Sequence, residues 1–453
     1  MVNYQYKYEN VVNTMKERIL NGTYKPGSKV PSIQALAKEM SLNKDTVIRA
    51  YHQLEAEHWI YAVAKSGYYV VKSTVAKEEM PHVIDMLTTN PANEVNPYKD
   101  FCHCMEKAIL LYEHKLFSYS PPKGMPELIR ILRSHLINYQ ILTKEQDIFI
   151  TSGAQQALFI LALMAFPDNH QTILVEQPTY SVMMETININ KIPVLGIRRT
   201  VNGLDLSELE RIFSENNIKF FYLMPRFQNP TGFSYSNKQK KEILRLAKKY
   251  QVFIVEDDYL ADLEINPKSD PFFSFDRDNI VIYIQSFSKT LLPGLRLGMV
   301  ILPKQLQEGF IKMKSIVDIN SSVLSQGALE IYLRSNMYES HVKRTKTFYK
   351  EKMMLLNREY EKELQHLARF FVPPTGIFAY FEVDHIKSKT LSARLENNGL
   401  KVWSTNQAYI EGFPHPEGIR LCTCKADLQS IVHAVQILKM TLPDCSNSIK
   451  VNG

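Results

Sequence analysis

The sequence predicts a two-part α/β chain: a small helical unit closed by a hairpin, then a larger mixed α/β body. Three observations lead there. Within residues 1–75, three amphipathic helical patterns precede two short β-type runs around a Ser-Gly tip. From about Asn96, helices alternate with short apolar strands, the pattern of a sheet covered by helices. The apolar, β-branched run Ile280-Val281-Ile282-Tyr283-Ile284 leads into Ser286-Phe287-Ser288-Lys289, so a lysine stands beside two hydroxyls at the end of an interior strand.

The 453 residues, 45% apolar and 22% charged, suffice for a large core and two or three domains. No apolar run approaches the roughly 18 residues of a membrane span, and Met1 to Lys7 lack the apolar centre of a signal peptide, which predicts a cytoplasmic protein. Cys102/Cys104 and Cys422/Cys424 are Cys-x-Cys pairs, tighter than zinc-ligand spacing, and read as reduced thiols with no metal site. The formal charge is +7, and residues 1–75 hold ten Lys/Arg against six Asp/Glu, a net of +4. That excess points to a polyanion at the N-terminal unit.

In that unit Val11, Val12, Met15 and Ile19 form one stripe of a helix from Tyr8 to Leu20, stopped by Asn21-Gly22. Ser32 is placed to cap a short helix with Leu36, Ala37 and Met40 facing inward. Asn43 is placed to cap the next, running to about His58 with Val47, Ala50, Tyr51 and Leu54 inward and Lys44, Asp45, Ile48 and Arg49 outward. Ile60 to Val63 and Tyr68 to Val71 read as strands around the basic tip Ala64-Lys65-Ser66-Gly67. Two helices joined by a tight turn and followed by a hairpin make a winged helix-turn-helix. Residues 8 to 72 resemble the GntR family of bacterial regulators, through Ile33 to Met40 after Pro-Gly-x-x-x-Pro-Ser, Asp45 to Leu54, and the Ser66-Gly67 wing. The resemblance implies contact with double-stranded DNA through Ser32, Gln34, Asn43, Lys44, Asp45, Thr46, Arg49, Lys65 and Gly67. Gln34 stands where the family usually has arginine, Asn43-Lys44 where Ser-Arg is common, and Glu57-His58 where Glu-Gly is usual. The first two changes predict an altered sequence preference with phosphate contacts retained.

Residues 76–95 read as a linker and an extended arm beginning near Val83, and residues 96–453 as the body, in which the family resemblance carried by the motifs that follow implies a smaller lobe from about 330. Ile148 to Leu158 combines a strand, the turn Ser152-Gly153-Ala154-Gln155 and a helix start, where backbone N–H groups and the helix dipole favour a phosphate. Arg296 lies seven positions beyond Lys289, and two serines with an arginine around a lysine suit a phosphate-bearing aldehyde. Upstream stand Asn229-Pro230-Thr231-Gly232 and the strand Val252 to Val255 ending in Glu256-Asp257-Asp258-Tyr259. In order and spacing these motifs resemble the fold-type I, class I aminotransferases. The resemblance implies pyridoxal 5′-phosphate (PLP) joined to Lys289 as a Schiff base, with Ser152, Gly153, Ala154, Gln155, Ser286, Ser288 and Arg296 on its phosphate. It implies Tyr180 on the ring face, Asp257 on the ring nitrogen, and Asn229 and Tyr259 on the phenolic oxygen. Asp258 is the competing choice for the nitrogen. Arg420, in Glu417-Gly418-Ile419-Arg420-Leu421, matches the family's clamp for an amino-acid carboxylate.

The combination, from about residue 8 to residue 440, resembles the MocR/GabR subfamily of GntR regulators. It implies a PLP-dependent transcriptional regulator that senses a small amino compound, or PLP itself, at Lys289, and a homodimer with heads exchanged head-to-tail. Two alternatives stay open: an active class I aminotransferase carrying an accessory head, since Lys289 could serve as general base, and a DNA-binding protein whose body only dimerises.

Overall fold

The computed structural model describes residues 7–57, 59–63, 66–71, 83–365, 367, 369–383 and 386–447. Lys65, expected at the DNA surface, and linker residues 76–82 lie outside the described residues. The chain divides into two compact units, residues 1–81 and 82–453.

In the first unit, α1 (Lys7–Leu20), α2 (Ile33–Glu39) and α3 (Lys44–Ala56) precede β1 (Ile60–Val63) and β2 (Gly67–Val70). The strands pair antiparallel, Ile60 opposite Val70 and Val63 opposite Gly67. The Ser32 hydroxyl accepts from Ala35 N at 3.2 Å and Asn43 Oδ1 from Thr46 N at 2.9 Å, so both helices start where a side chain satisfies an orphan amide. The core takes the inward stripes of all three helices, Val11, Val12, Met15, Leu36, Ala37, Val47, Ala50 and Leu54, with Ile60 and Val70. Tyr51 is buried among them and its hydroxyl donates to Pro31 O at 2.7 Å.

The second unit begins with β3 (Ile84–Asp85) and continues through α4 (Tyr98–Tyr112), α5 (Pro126–Leu136), β4 (Ile148–Thr151), α6 (Ala154–Leu163), β5 (Thr172–Gln177) and β6 (Val194–Arg198). It goes on with β7 (Ile218–Leu223), β8 (Phe253–Asp257), β9 (Val281–Ser286) and β10 (Gly298–Ile301). The large sheet has the order β4-β10-β9-β8-β7-β5-β6. β9, β8, β7, β5 and β6 run parallel, while β10 is antiparallel to both β4 and β9. Side chains alternate between two buried faces. Phe149, Ile282, Ile284 and Val300 enter one core, and Ile148, Ile150, Tyr283 and Met299 enter the other under α4 and α5. Burial on both faces explains the unbroken apolar runs in the sequence.

The small lobe is built on β11 (Arg369–Phe371), β12 (Phe378–Val383), β13 (Leu400–Lys401), β14 (Trp403–Ser404) and β15 (Glu417–Cys422). Its sheet has the order β11-β12-β15-β14. β3 pairs parallel with β13, Ile84 opposite Leu400, so the chain entering this unit is stitched first into the small lobe.

Candidate functional site

In open parallel sheets ligands bind beyond the carboxyl ends of the strands. Here Asp257 ends β8, Ser286 ends β9, and Ser288 and Lys289 follow it. Together with Gly153, Ala154, Gln155, Tyr180, Asn229, Tyr259, Arg296 and Arg420 they line one cavity of about 510 Å³. Its charged lining residues are three cations, Lys289, Arg296 and Arg420, against one carboxylate, Asp257. That balance favours an anionic ligand.

At one end Gly153, at φ +84°, lets the chain turn from β4 into α6. Among the described residues no side chain caps α6, and the first N–H groups of a helix have no acceptor within it. Gly298 opposes both Thr151 and Ser286, and a Cβ on it would lie 2.9 Å from Gly153 C and 3.0 Å from Ala154 N. Its lack of a side chain is what lets the turn approach the end of β9. Arg296 Nη2 donates to Ser152 O at 3.4 Å and Gln155 Oε1 at 3.3 Å, while Gln155 Nε2 donates to the Tyr180 hydroxyl at 3.0 Å. The Ser286 hydroxyl accepts from Ser288 N at 3.2 Å, and the Ser288 hydroxyl is buried with no hydrogen bond among the described residues. Ser152 differs from its neighbours: its hydroxyl donates to Asp318 at 2.8 Å, so the side chain is not brought to the cavity.

At the other end the two adjacent carboxylates part. Asp258 accepts both Nε (2.9 Å) and Nη2 of buried Arg226, and the Tyr283 hydroxyl at 2.9 Å. Asp257 accepts only the Tyr222 hydroxyl among the described residues, at 2.9 Å, and its Oδ1 is buried without a hydrogen bond. Burial pushes the Asp257 carboxyl up to about 7, with Asp258 adding to the rise and Tyr222 opposing it. A cation or N–H donor beside Oδ1 would reverse that shift.

Lys289 Nζ donates to Thr89 Oγ1 at 2.8 Å and Thr89 O at 3.1 Å. Burial draws its amine below the ordinary lysine value; Arg420 and Arg296 act the same way, and Cys424 and Cys422 oppose them. Its neighbour Thr290 is anchored by donating to Asp262 at 2.7 Å, which also accepts the Tyr338 hydroxyl at 2.7 Å. Arg420 is 6% exposed, stacked between Trp403 and Phe378 at 4.7 and 4.4 Å from their ring centroids. Its Nη1 donates to Asn229 Oδ1 and its Nη2 to Leu87 O, each at 3.1 Å, and its Nε is buried with no partner among the described residues. The Tyr259 hydroxyl donates to Phe227 O at 2.6 Å, which leaves its oxygen as an acceptor at the cavity.

On the N-terminal unit Gln34, Lys44, Asp45 and Arg49 are exposed. The side chains of Ser32, Asn43 and Thr46 are committed to the helix caps. Arg49 stacks on the Tyr8 ring, 4.4 Å from its centroid, which fixes its direction. Gly67, at φ +114°, is exposed at the hairpin, and a Cβ there would meet Lys29 Cε at 3.1 Å. Lys29 therefore joins this basic edge, although the sequence reading did not single it out.

Three further residues were missed. Leu87 and Thr89 reach the cavity through the arm, from a stretch that looks like an ordinary polar connection. Tyr222 left a signal: a tyrosine inside the interior run Ile218 to Leu223 needs a buried partner for its hydroxyl.

Residues 84–438 match the family Aminotransferase class I and II, and residues 7–70 match Bacterial regulatory proteins, gntR family. The uncharacterized HTH-type transcriptional regulator YcxD of Bacillus subtilis is 41% identical over 438 residues, covering 95% of this chain and 99% of the relative. The HTH-type transcriptional regulator NorG of Staphylococcus aureus is 25% identical over 440 residues, 90% of this chain and 98% of NorG. Among solved structures, a kynurenine aminotransferase of Pyrococcus horikoshii in complex with PMP superposes with a TM-score of 0.75 at 25% identity, covering 81% of this chain and 92% of that one.

Proposed function

This chain belongs to the HTH-type transcriptional regulators in which a gntR head precedes a class I and II aminotransferase body, and we propose that its body senses a small amino compound through PLP. The observation that carries the reading is the arm. Thr89 occupies Lys289 and Leu87 O occupies Arg420, so the chain leading from the head is held by the two residues a ligand would need.

The residues suit the cofactor. Ser288 Oγ and Asp257 Oδ1 are buried polar atoms without partners on one cavity, and the uncapped start of α6 and Arg296 supply anion-binding donors near Ser288. Lys289 would hold PLP covalently, Arg296, Ser286, Ser288 and the turn at Gly153 to Gln155 its phosphate, and Asp257 its ring nitrogen. When bound, PLP supplies an aldehyde for amines and a ring that withdraws electrons from them.

The side chains around it bind and orient. Tyr180, fixed by Gln155, would cover a ring face. Arg420 would clamp the carboxylate of an amino compound through two N–H groups. That clamp competes with the Leu87 carbonyl, and use of the lysine amine competes with Thr89, so ligand binding and arm position are linked. No described helix is long and apolar enough to cross a membrane.

Fluorescence anisotropy on the DNA upstream of its own gene, at fixed salt, tests the proposal with no addition, with PLP, and with PLP plus an amino-acid panel. Affinity that changes with one amino compound supports it. Weak binding equal on unrelated DNA in every condition overturns it. Steady recycling of the cofactor by an amino acid and a 2-oxo acid would favour an enzyme, because the depressed amine of Lys289 suits proton transfer.

A further inference from the structure

A second cavity, of about 530 Å³, lies between the edge of the large sheet and the small lobe. Phe233, Phe371 and Phe413 give it aromatic walls, and Tyr380, Tyr409 and Arg199 give it polar groups. None of these residues serves the cofactor site.

Arg199 is the unusual member. Its side chain is fully buried, 3.6 Å from Glu176, with its guanidinium on the Tyr235 ring at 3.3 Å. Among the described residues none of its three nitrogens has a hydrogen-bond partner. Glu176 is its ion-pair partner but lies beyond hydrogen-bond reach at 3.6 Å, held by the Tyr235 hydroxyl at 2.6 Å and Met224 N at 3.0 Å. The Tyr380 and Tyr409 hydroxyls are buried against each other, and neither has a further hydrogen-bond partner among the described residues. Buried polar groups in folded proteins are nearly always satisfied, and charge balance from Glu176 does not replace hydrogen bonds to the guanidinium. The lining carries three arginines, Arg198, Arg199 and Arg369, against one carboxylate, Glu382, so an anionic acceptor suits it, and the phenylalanines leave flat apolar space beside it.

We propose that this cavity is a second small-molecule site, for a carboxylate carried on a flat aromatic body. The carboxylate would accept from Arg199 and the two tyrosine hydroxyls while the ring lies among the phenylalanines. The site adjoins the first one: Gln177 and Pro178 line this cavity, and Tyr180 and Ser181 line the other. Gln177 also ties the small lobe down by accepting from Ile410 N at 2.7 Å. A ligand here therefore acts on the segment that carries Tyr180. This cavity holds neither the cofactor nor DNA, so its occupancy is independent of the regulatory reading.

Calorimetric titration of the full-length protein with 2-naphthoate and with uncharged 2-naphthamide tests it. Saturable naphthoate binding tighter than about 1 mM is expected, with the amide about tenfold weaker. Val201, a 51% exposed lining residue, can take a large side chain without loss of core, and Val201→Trp should fill the space and weaken naphthoate at least about tenfold. Arg199→Gln should do the same if it folds; Val201→Trp keeps the test decisive if it does not. Arg420→Gln should leave naphthoate affinity within about twofold. Absence of saturable binding, equal binding of the amide, indifference to Val201→Trp, or loss with Arg420→Gln each overturns the proposal, the last by assigning the probe to the first cavity.

Discussion

Replacing Asp257 by Asn separates two opposed effects of one buried carboxyl. Its ordinary value of 3.8 is raised to about 7 by burial at the end of β8. At about 1.36 kcal/mol per pH unit, ionising it in cofactor-free protein costs on the order of 4 kcal/mol. The unfolded chain gives up this proton near pH 4, so the cost is absent below that, grows as pH rises, and is complete above about pH 7. Asn carries no such cost and keeps the Tyr222 hydroxyl as a donor. Cofactor-free Asp257→Asn should therefore melt close to the parent at pH 4 and above it at pH 8.5. PLP should respond in the opposite sense, because a hydrogen bond to a charged group is worth about 1.5–3 kcal/mol, and losing it weakens binding about 10- to 150-fold. Thermal melts at the two pH values and an absorbance titration with PLP read both effects. Parallel melts at pH 8.5, or unchanged PLP affinity, would refute the assignment of Asp257 as a buried charge awaiting a cationic partner.

Thr89→Val removes the 2.8 Å bond to Lys289 and leaves the carbonyl bond. Loss of about 1 kcal/mol should shift operator affinity without ligand about fivefold toward its ligand-bound value, seen by anisotropy. Arg420→Gln should abolish the response to a carboxylate-bearing effector while PLP binding changes less than about threefold. Lys44→Ala, on the exposed start of α3, should weaken binding to operator and unrelated DNA alike and lower the slope of log affinity against log salt by about 1.

The strands, the helix caps at Ser32 and Asn43, and the cavity residues from Gly153 to Arg296 were legible because each is local: a period of two, a capping residue, or a strand end followed by a polar motif. The choice between Asp257 and Asp258 was only half legible. Arg226 settles which carboxylate is consumed, and its pairing with Asp258 is not marked by any spacing. Ser152 looked equivalent to Gly153 and Ala154 until Asp318, far along the chain, claimed its hydroxyl. The arm was the largest gap. Thr89 meets Lys289 across 200 positions and Leu87 meets Arg420 across 333, and no local pattern encodes such contacts. The second cavity was invisible for the same reason, since Arg199, Tyr380 and Tyr409 belong to separate elements.

The pairing of β3 with β13 also sets where this protein can be recombined with its relatives. A chimera joined at residue 83 would exchange only the DNA-reading part and inherit an intact receptor, because the strand at Ile84 and both acceptors at Leu87 and Thr89 stay with the lobes they touch. A junction at residue 95, the end of the connection as the sequence suggests it, would carry those acceptors away with the donor head. Biosensors assembled from this scaffold would then depend on the foreign arm fitting Lys289 and Arg420, and the seam twelve residues earlier avoids that dependence.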